Sequence, residues 1–142
     1  MEQKVINILK KLVIKASNRN ETPVAAVIVC ENKIISKAFN QRNKSNSTLA
    51  HAEILAIQKA NKKLKSWRLN ECSIYITIKP CAMCEAVIKE ARFKSVYYLL
   101  ERVPEKKQYN KTVFQKLDNS AYDNDIQNYI SIIEDFWKKR RK

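Results

Sequence analysis

Residues 73–91 read SIYITIKPCAMCEAVIKEA. The first six, SIYITI, are rich in β-branched residues and predict a strand. Pro80 halts that strand and opens a helix from Cys81 to about Ala91, because proline suits the first turn of a helix, where its missing N–H costs nothing. A strand running through a proline into a helix is the beginning of a layered α/β arrangement.

The flanking sequence extends the pattern. Downstream, SVYYLL (95–100) is a further strand. Upstream, PVAAVIVC (23–30) is a continuous apolar run of strand length, ENK (31–33) can turn, and IISKAF (34–39) reads as the return strand of a hairpin. A first helix is predicted from about Glu2 to Ala16, with Ile6, Leu9 and Val13 on one side. Residues 40–48 read as a polar loop. A helix from about Leu49 to Lys65 follows, with Ser47 or Thr48 as N-cap and Ala52, Leu55, Ala56, Ala60 and Leu64 on its inner face. The order α-β-β-α-β-α-β predicts a sheet covered by helices. Beyond Glu101, TVFQKL (112–117) suits either a short strand or one turn of helix. A last helix from roughly Asp125 to Lys142 carries Ile126, Ile130, Ile133 and Trp137 as its stripe and ends in KKRRK.

The chain has 142 residues, within the range of one ordinary domain, and a single domain over 1–142 is expected. Its 45% hydrophobic share is enough to build a core. No stretch approaches the ~20 unbroken apolar residues of a membrane span. The lysine-punctuated start, MEQKVINILKKLVIKA, lacks the apolar block of a secretory signal, so a cytoplasmic location is expected. Four cysteines in a reducing compartment suit metal or catalytic use better than a disulfide framework. The net charge of +14 points to a polyanionic partner, nucleic acid first, although a lysine-rich genome bias gives the same composition. There is no glycine anywhere. Phosphate-cradling glycine loops and dinucleotide fingerprints are therefore excluded, and turns are expected at Asn, Asp, Ser or Pro.

Cys81 and Cys84, at i and i+3 in the first turn of a helix, put both sulfurs on one side. The positive end of the helix favours thiolate there. His51, the only histidine, lies near the start of its own helix. If the two helices meet, one imidazole and two thiolates offer three ligands for Zn²⁺ with a fourth position open, as in a catalytic zinc site. Glu53, carried by the same turn as His51, is then placed to move protons. A Cys-x-x-Cys alone equally suits a redox pair or plain packing, and a lone His-x-Glu carries little. Their combination matches the His-x-Glu and Pro-Cys-x-x-Cys signature of zinc deaminases. Cys72 is a conceivable fourth ligand of a closed site, but it has no partner at ligand spacing. Cys30 and Cys72 read better as core thiols.

Several stretches between Glu21 and Tyr97 resemble the bacterial tRNA-specific adenosine deaminases, within the cytidine and deoxycytidylate deaminase-like zinc deaminase superfamily. They are ETPVAAVIV, FNQR, TLAHAEILAI, SWRLNECSIYITIKPCAMC and ARFKSVYY, with DFWKKRR near the C-terminus. The resemblance implies a three-layer αβα cytidine-deaminase-like fold around a mixed sheet of about five strands. It implies hydrolytic conversion of adenosine to inosine at the anticodon wobble position, one zinc per subunit held by His51, Cys81 and Cys84, and Glu53 as proton shuttle. It also implies that Asn40 hydrogen-bonds the flipped base while Val24 and Pro80 line its pocket. Read without the family, Asn40 is a turn residue closing the second strand. tRNA and a second copy of the chain are the implied partners. Lys138, Lys139, Arg140 and Arg141 would meet phosphates, and Phe136 or Trp137 would stack on a loop base; the two aromatics equally suit a packed core.

The sequence departs from the family at three places. Ala26 stands where glycine is usual, Lys79 where glutamate is usual, and the segment after Leu100 is short and glycine-free. Two competing functions use the same residues. One is deamination of a free base or nucleotide of guanine or cytidine type, which the basic surplus argues against. The other is a non-catalytic tRNA-binding subunit, which the intact Glu53 argues against.

Overall fold

Glu31 and Asn32 turn the chain through a two-residue hairpin with φ of 49° and 63°, joining strands β1 (Ala25–Cys30) and β2 (Lys33–Phe39). Two successive positive φ values match the right-handed twist of the strands they connect. The computed structural model describes residues 1–102, 112–117 and 120–140. These divide between two compact units, Met1–Pro104 and Glu105–Lys142.

The first unit contains α1 (Glu2–Asn18), the β1–β2 hairpin, a short α2 (Arg42–Ser45), α3 (Ala52–Leu64), β3 (Cys72–Ile78), α4 (Ala82–Ala91) and β4 (Ser95–Leu100). The sheet order is β2-β1-β3-β4. β1 runs antiparallel to both neighbours, whereas β3 and β4 are parallel, joined by the α4 crossover. The sheet is mixed, as expected, with four strands among the described residues where about five were anticipated.

β1 is buried on both faces, which explains its unbroken apolar run. Ala25, Val27 and Val29 pack with Val5, Leu9 and Ala16 of α1. Ala26 and Ile28 face the other way, into a core with Ala52, Ala56 and Ala60 of α3, Ile74 and Ile76 of β3, and Ile88 and Ala91 of α4. Helices on both faces give the expected three layers. Alanines at every fourth position let α3 lie close on the sheet, and the Ser36 hydroxyl of β2 donates to the Ala56 carbonyl at 2.8 Å.

Three expectations need correction. α3 begins at Ala52 with His51 as its N-cap, not at Leu49 with Ser47 or Thr48. The Ser47 hydroxyl instead accepts the Leu49 N–H in a local turn. Leu64, placed on the inner face from sequence, is 39% exposed at the C-terminal end of α3. Turns were expected only at Asn, Asp, Ser or Pro, yet Glu31, Lys65 and Arg92 also take positive φ. Lys65 and Arg92 end α3 and α4 in the left-handed conformation that glycine usually supplies.

In the second unit, residues 112–117 form neither the strand nor the helical turn anticipated; they carry no regular structure. A strand exists only within a ladder, and none is present there among the described residues. A 3₁₀ turn at Ser120–Tyr122 leads into α5 (Asp123–Arg140). No helix of the described residues is long and apolar enough to cross a membrane.

Candidate active site

Two helix starts carry the metal-ligating side chains. Cys81 is the N-cap of α4, with extended φ −67° and ψ 170°, and its carbonyl accepts the Glu85 N–H at 2.8 Å. His51 is the N-cap of α3, with φ −73° and ψ 150°, and its carbonyl accepts the Leu55 N–H at 3.0 Å. N-caps are ordinarily Ser, Thr, Asp or Asn, whose side chains satisfy a helix N–H at a gain of about 1 kcal/mol. Neither His51 nor Cys81 makes such a bond, so both side chains are turned to another use.

That use is each other's company. The Nδ1 of His51 lies 3.4 Å from the Cys84 sulfur and 3.8 Å from the Cys81 sulfur. The ligand atoms of His51, Cys81 and Cys84 all lie within 4.8 Å of one another. A tetrahedral zinc with Zn–N near 2.0 Å and Zn–S near 2.3 Å sets its nitrogen and sulfur about 3.5 Å apart. The two observed distances straddle that value, so the three residues fit one zinc ion.

The electrostatics agree with the need for a cation. Burial pushes the Cys84 thiol well above the usual thiol range, and the neighbouring Glu53 carboxylate and Cys81 raise it further. Left to itself the Cys84 thiol stays protonated despite the helix start, and a bound dication reverses that balance. Burial also lowers the His51 pKa; Glu53 opposes this, while Arg42 and Arg102 add to it. The neutral imidazole is the form a metal takes.

Glu53, at the second position of α3, is only 2% exposed, and its Oε1 has no hydrogen-bond partner. An unpaired buried carboxyl oxygen costs about 1–3 kcal/mol or more. It stands beside the donor set, where its interaction with Cys84 is direct. Asn40 is 6% exposed. Its Oδ1 accepts the Arg42 N–H at 2.9 Å, and its own N–H donates to the Val24 carbonyl at 3.0 Å. The turn role expected for an asparagine here is therefore present, and the side-chain NH₂ is left as its second polar group. Pro80 is buried and Val24 half-buried against the α3 core.

Two of the departures from the resemblance, Ala26 in β1 and Lys79 just after β3, have a place. Ala26 is fully buried under α3. Lys79 is exposed, with its backbone tied to β4 through Lys79 N–H to Leu100 O and to Arg102 through its carbonyl.

Glu21 escaped sequence reading. It is 6% exposed, and its two carboxylate oxygens accept the N–H groups of Asn43 and Lys44 at 3.0 and 2.9 Å. It thereby clamps α2, the turn that follows Asn40. No local pattern marks a residue bonded to partners twenty-two and twenty-three positions away.

On α5, Phe136 and Trp137 are 44% and 55% exposed and meet edge to face at 5.2 Å. The Arg140 guanidinium lies over the Phe136 ring at 3.6 Å. Lys138 and Lys139 are exposed. Arg141 lies outside the described residues, as do positions 103–111 of the segment that departs from the family.

Residues 1–100 match the family of the cytidine and deoxycytidylate deaminase zinc-binding region. The chain is 48% identical over 85 residues to a tRNA-specific adenosine deaminase of Rickettsia bellii, covering 58% of this chain and 59% of that protein. It therefore spans less than two thirds of that relative's length. A structure from a study of A-to-I editing by tRNA:A34 deaminases is 32% identical, with a TM-score of 0.70, over 71% of this chain and 78% of the other. The guanine deaminase of Bacillus subtilis is 26% identical, with a TM-score of 0.76, over 92% of this chain and 94% of the other.

The layered sheet with a His-Cys-Cys donor set at two helix starts is a metal-binding fold of the deaminase type. The chain belongs to the cytidine and deoxycytidylate deaminase zinc-binding family.

Proposed function

We propose that the protein converts adenosine to inosine at the wobble position of a tRNA anticodon, acting in the cytoplasm as a homodimer. The observation that carries the deaminase reading is the unpaired, buried Glu53 oxygen beside three ligands that fit one zinc. Such a carboxyl is costly to keep unless a proton acceptor is wanted there.

His51, Cys81 and Cys84 would hold the ion, which when bound would supply Lewis-acid activation of water near neutral pH. Glu53 takes a proton from the attacking water and delivers it to N1 of the adenine ring. It then passes the second proton to the departing amine, so water and adenosine give inosine and ammonia. Asn40 offers its side-chain NH₂ to an acceptor on the flipped base, held in place because its Oδ1 is already bonded to the Arg42 N–H. Val24 and Pro80 provide the apolar walls. The anticodon loop is single-stranded, so extruding its base costs only a few kcal/mol. Lys138, Lys139, Arg140 and Arg141 meet phosphates, with Phe136 or Trp137 stacking on a loop base.

A second reading, deamination of free guanine, is favoured by the 92% coverage of the guanine deaminase structure. The higher identity to a protein named tRNA-specific adenosine deaminase and the charge of +14 favour the RNA substrate. The deciding experiment offers the zinc-loaded protein an anticodon stem–loop with adenosine at the wobble position, beside free guanine, adenosine and cytidine. Inosine at that one position supports the proposal; turnover of free guanine alone replaces it with the second reading.

A further inference from the structure

Cys30 is the last residue of β1 and Cys72 the first of β3. They are direct partners in the antiparallel ladder, and both are free thiols. Directly opposed residues put their side chains on the same face of a sheet. Their Cα atoms are about 4.5 or 5.5 Å apart, depending on the kind of pair, and both values lie inside the range a disulfide spans. Cys72 is fully buried in the α3-side core, and Cys30 is half-buried against the same core. A cavity of about 360 Å³ reaches both, lined also by Leu64, Arg68 and Leu69.

We propose that Cys30 and Cys72 are a redox-active pair that closes to an intramolecular disulfide by exchange with a low-molecular-weight disulfide entering this cavity. The inference is independent of the deaminase substrate. The site lies at the far end of β3 from Cys81, with the seven-residue strand, about 20 Å long, between them.

The exchange balances in two steps. The Cys30 thiolate attacks one sulfur of the reagent, the reagent's S–S bond breaks, and one thiolate leaves. The Cys72 thiol then loses its proton and its sulfur attacks the Cys30 sulfur, releasing the second thiolate. Two protein thiols are oxidised by two electrons, and the small disulfide is reduced to two thiols that take up the protons. Burial, then the Cys30 thiol, pushes the Cys72 pKa up to about 12, and Cys72 is fully buried while Cys30 is half-buried, so Cys30 meets the reagent first. The bridge would tie the two ends of the segment that carries α2, α3, His51 and Glu53. Those ends are already paired in the sheet, so no rearrangement is required.

Glu31 and Glu71 also line the cavity, and a neutral reagent avoids their charge. The zinc-loaded full chain is incubated with bis(2-hydroxyethyl) disulfide, its free thiols are blocked, and digested peptides are mapped by mass spectrometry. The proposal expects peptides containing Cys30 and Cys72 to be joined, zinc to be retained, the Tm to shift upward, and dithiothreitol to reverse the link. In Cys72→Ala the reagent remains as an adduct on Cys30. A lasting adduct on Cys30 in the unaltered chain overturns the proposal, as does a failure of either thiol to react or a link through Cys81 or Cys84.

Discussion

The His51 Nδ1 and the Cys84 sulfur lie 3.4 Å apart, although thirty-three positions separate them in the chain. β1 and β3 are neighbours in the sheet, and α3 and α4 pack on the same face of it. That packing brings one helix start against the other. Cys84→Ser keeps the side-chain volume but replaces a soft ligand with a poor one. Metal analysis of the purified variant should show zinc reduced to a minor fraction of the unaltered protein's, with turnover falling in proportion. The same loss of turnover follows from chelation, and added zinc should restore it only where Cys84 is intact. Full zinc content in Cys84→Ser would remove that residue from the ligand set.

Glu53 gives a separable outcome. Glu53→Gln retains the side-chain shape but no longer accepts and delivers protons. A lost general acid–base group typically costs 10²–10⁴-fold in rate. Turnover of the stem–loop should fall by about that much while zinc content stays unchanged, because Glu53 is outside the donor set. Activity within a few fold of the unaltered protein would refute the shuttle role.

The strand–Pro–helix run at 73–91 and the apolar run at 25–30 were legible because both patterns are local. Continuous burial on two faces leaves no polar alternation in β1, and proline leaves no room for a continuing strand at position 80. His51, Cys81, Cys84 and Glu53 were legible because their spacing matched a signature and both pairs lay near predicted helix starts. Helix boundaries were less so: the Ser47 hydroxyl bonds locally to Leu49, and the true cap is a histidine that does not cap with its side chain. Glu21 was invisible, since its partners Asn43 and Lys44 meet it only through the tertiary fold. Residues 112–117 suit either a strand or a helical turn by composition, yet a short apolar run provides no neighbouring strand to pair with.

The absence of glycine carries a stability cost that can be tested at Lys65. This residue ends α3 at φ 52° and ψ 42°, with its N–H bonded to the Asn61 and Lys62 carbonyls. A side chain in the left-handed region costs roughly 1–2 kcal/mol, partly offset because glycine loses more freedom on folding. Lys65→Gly should therefore stabilise the protein by about 0.5–1 kcal/mol in urea unfolding. Lys62→Gly, three residues earlier and inside the helix, should destabilise it by about 1 kcal/mol. Opposite signs from one substitution type at neighbouring exposed lysines would isolate the backbone conformation as the cause. A loss of stability at Lys65 would mean that its side chain contributes more than its conformation costs.

The charged end of α5 provides the last prediction. Lys138, Lys139 and Arg140 follow Phe136 and Trp137 in the final turn of the helix, with both aromatics exposed. If these cations meet phosphates of the anticodon stem–loop, binding releases counterions and weakens as salt rises. For single-stranded contacts the slope of log K against log salt is about −0.7 per phosphate. Replacing all three with glutamine should lower the magnitude of the slope by about 2, with weaker binding at low salt and little change at high salt. Deamination of a free base, were it present, should show almost no such slope in either protein. An unchanged slope in the triple variant would place the RNA-binding surface elsewhere and leave the three cations as solvated charges on the helix end. A lost slope with Trp137→Ala also weakening binding, by roughly the 1–3 kcal/mol of one base–aromatic stack, would assign the helix end to both phosphate and base contacts.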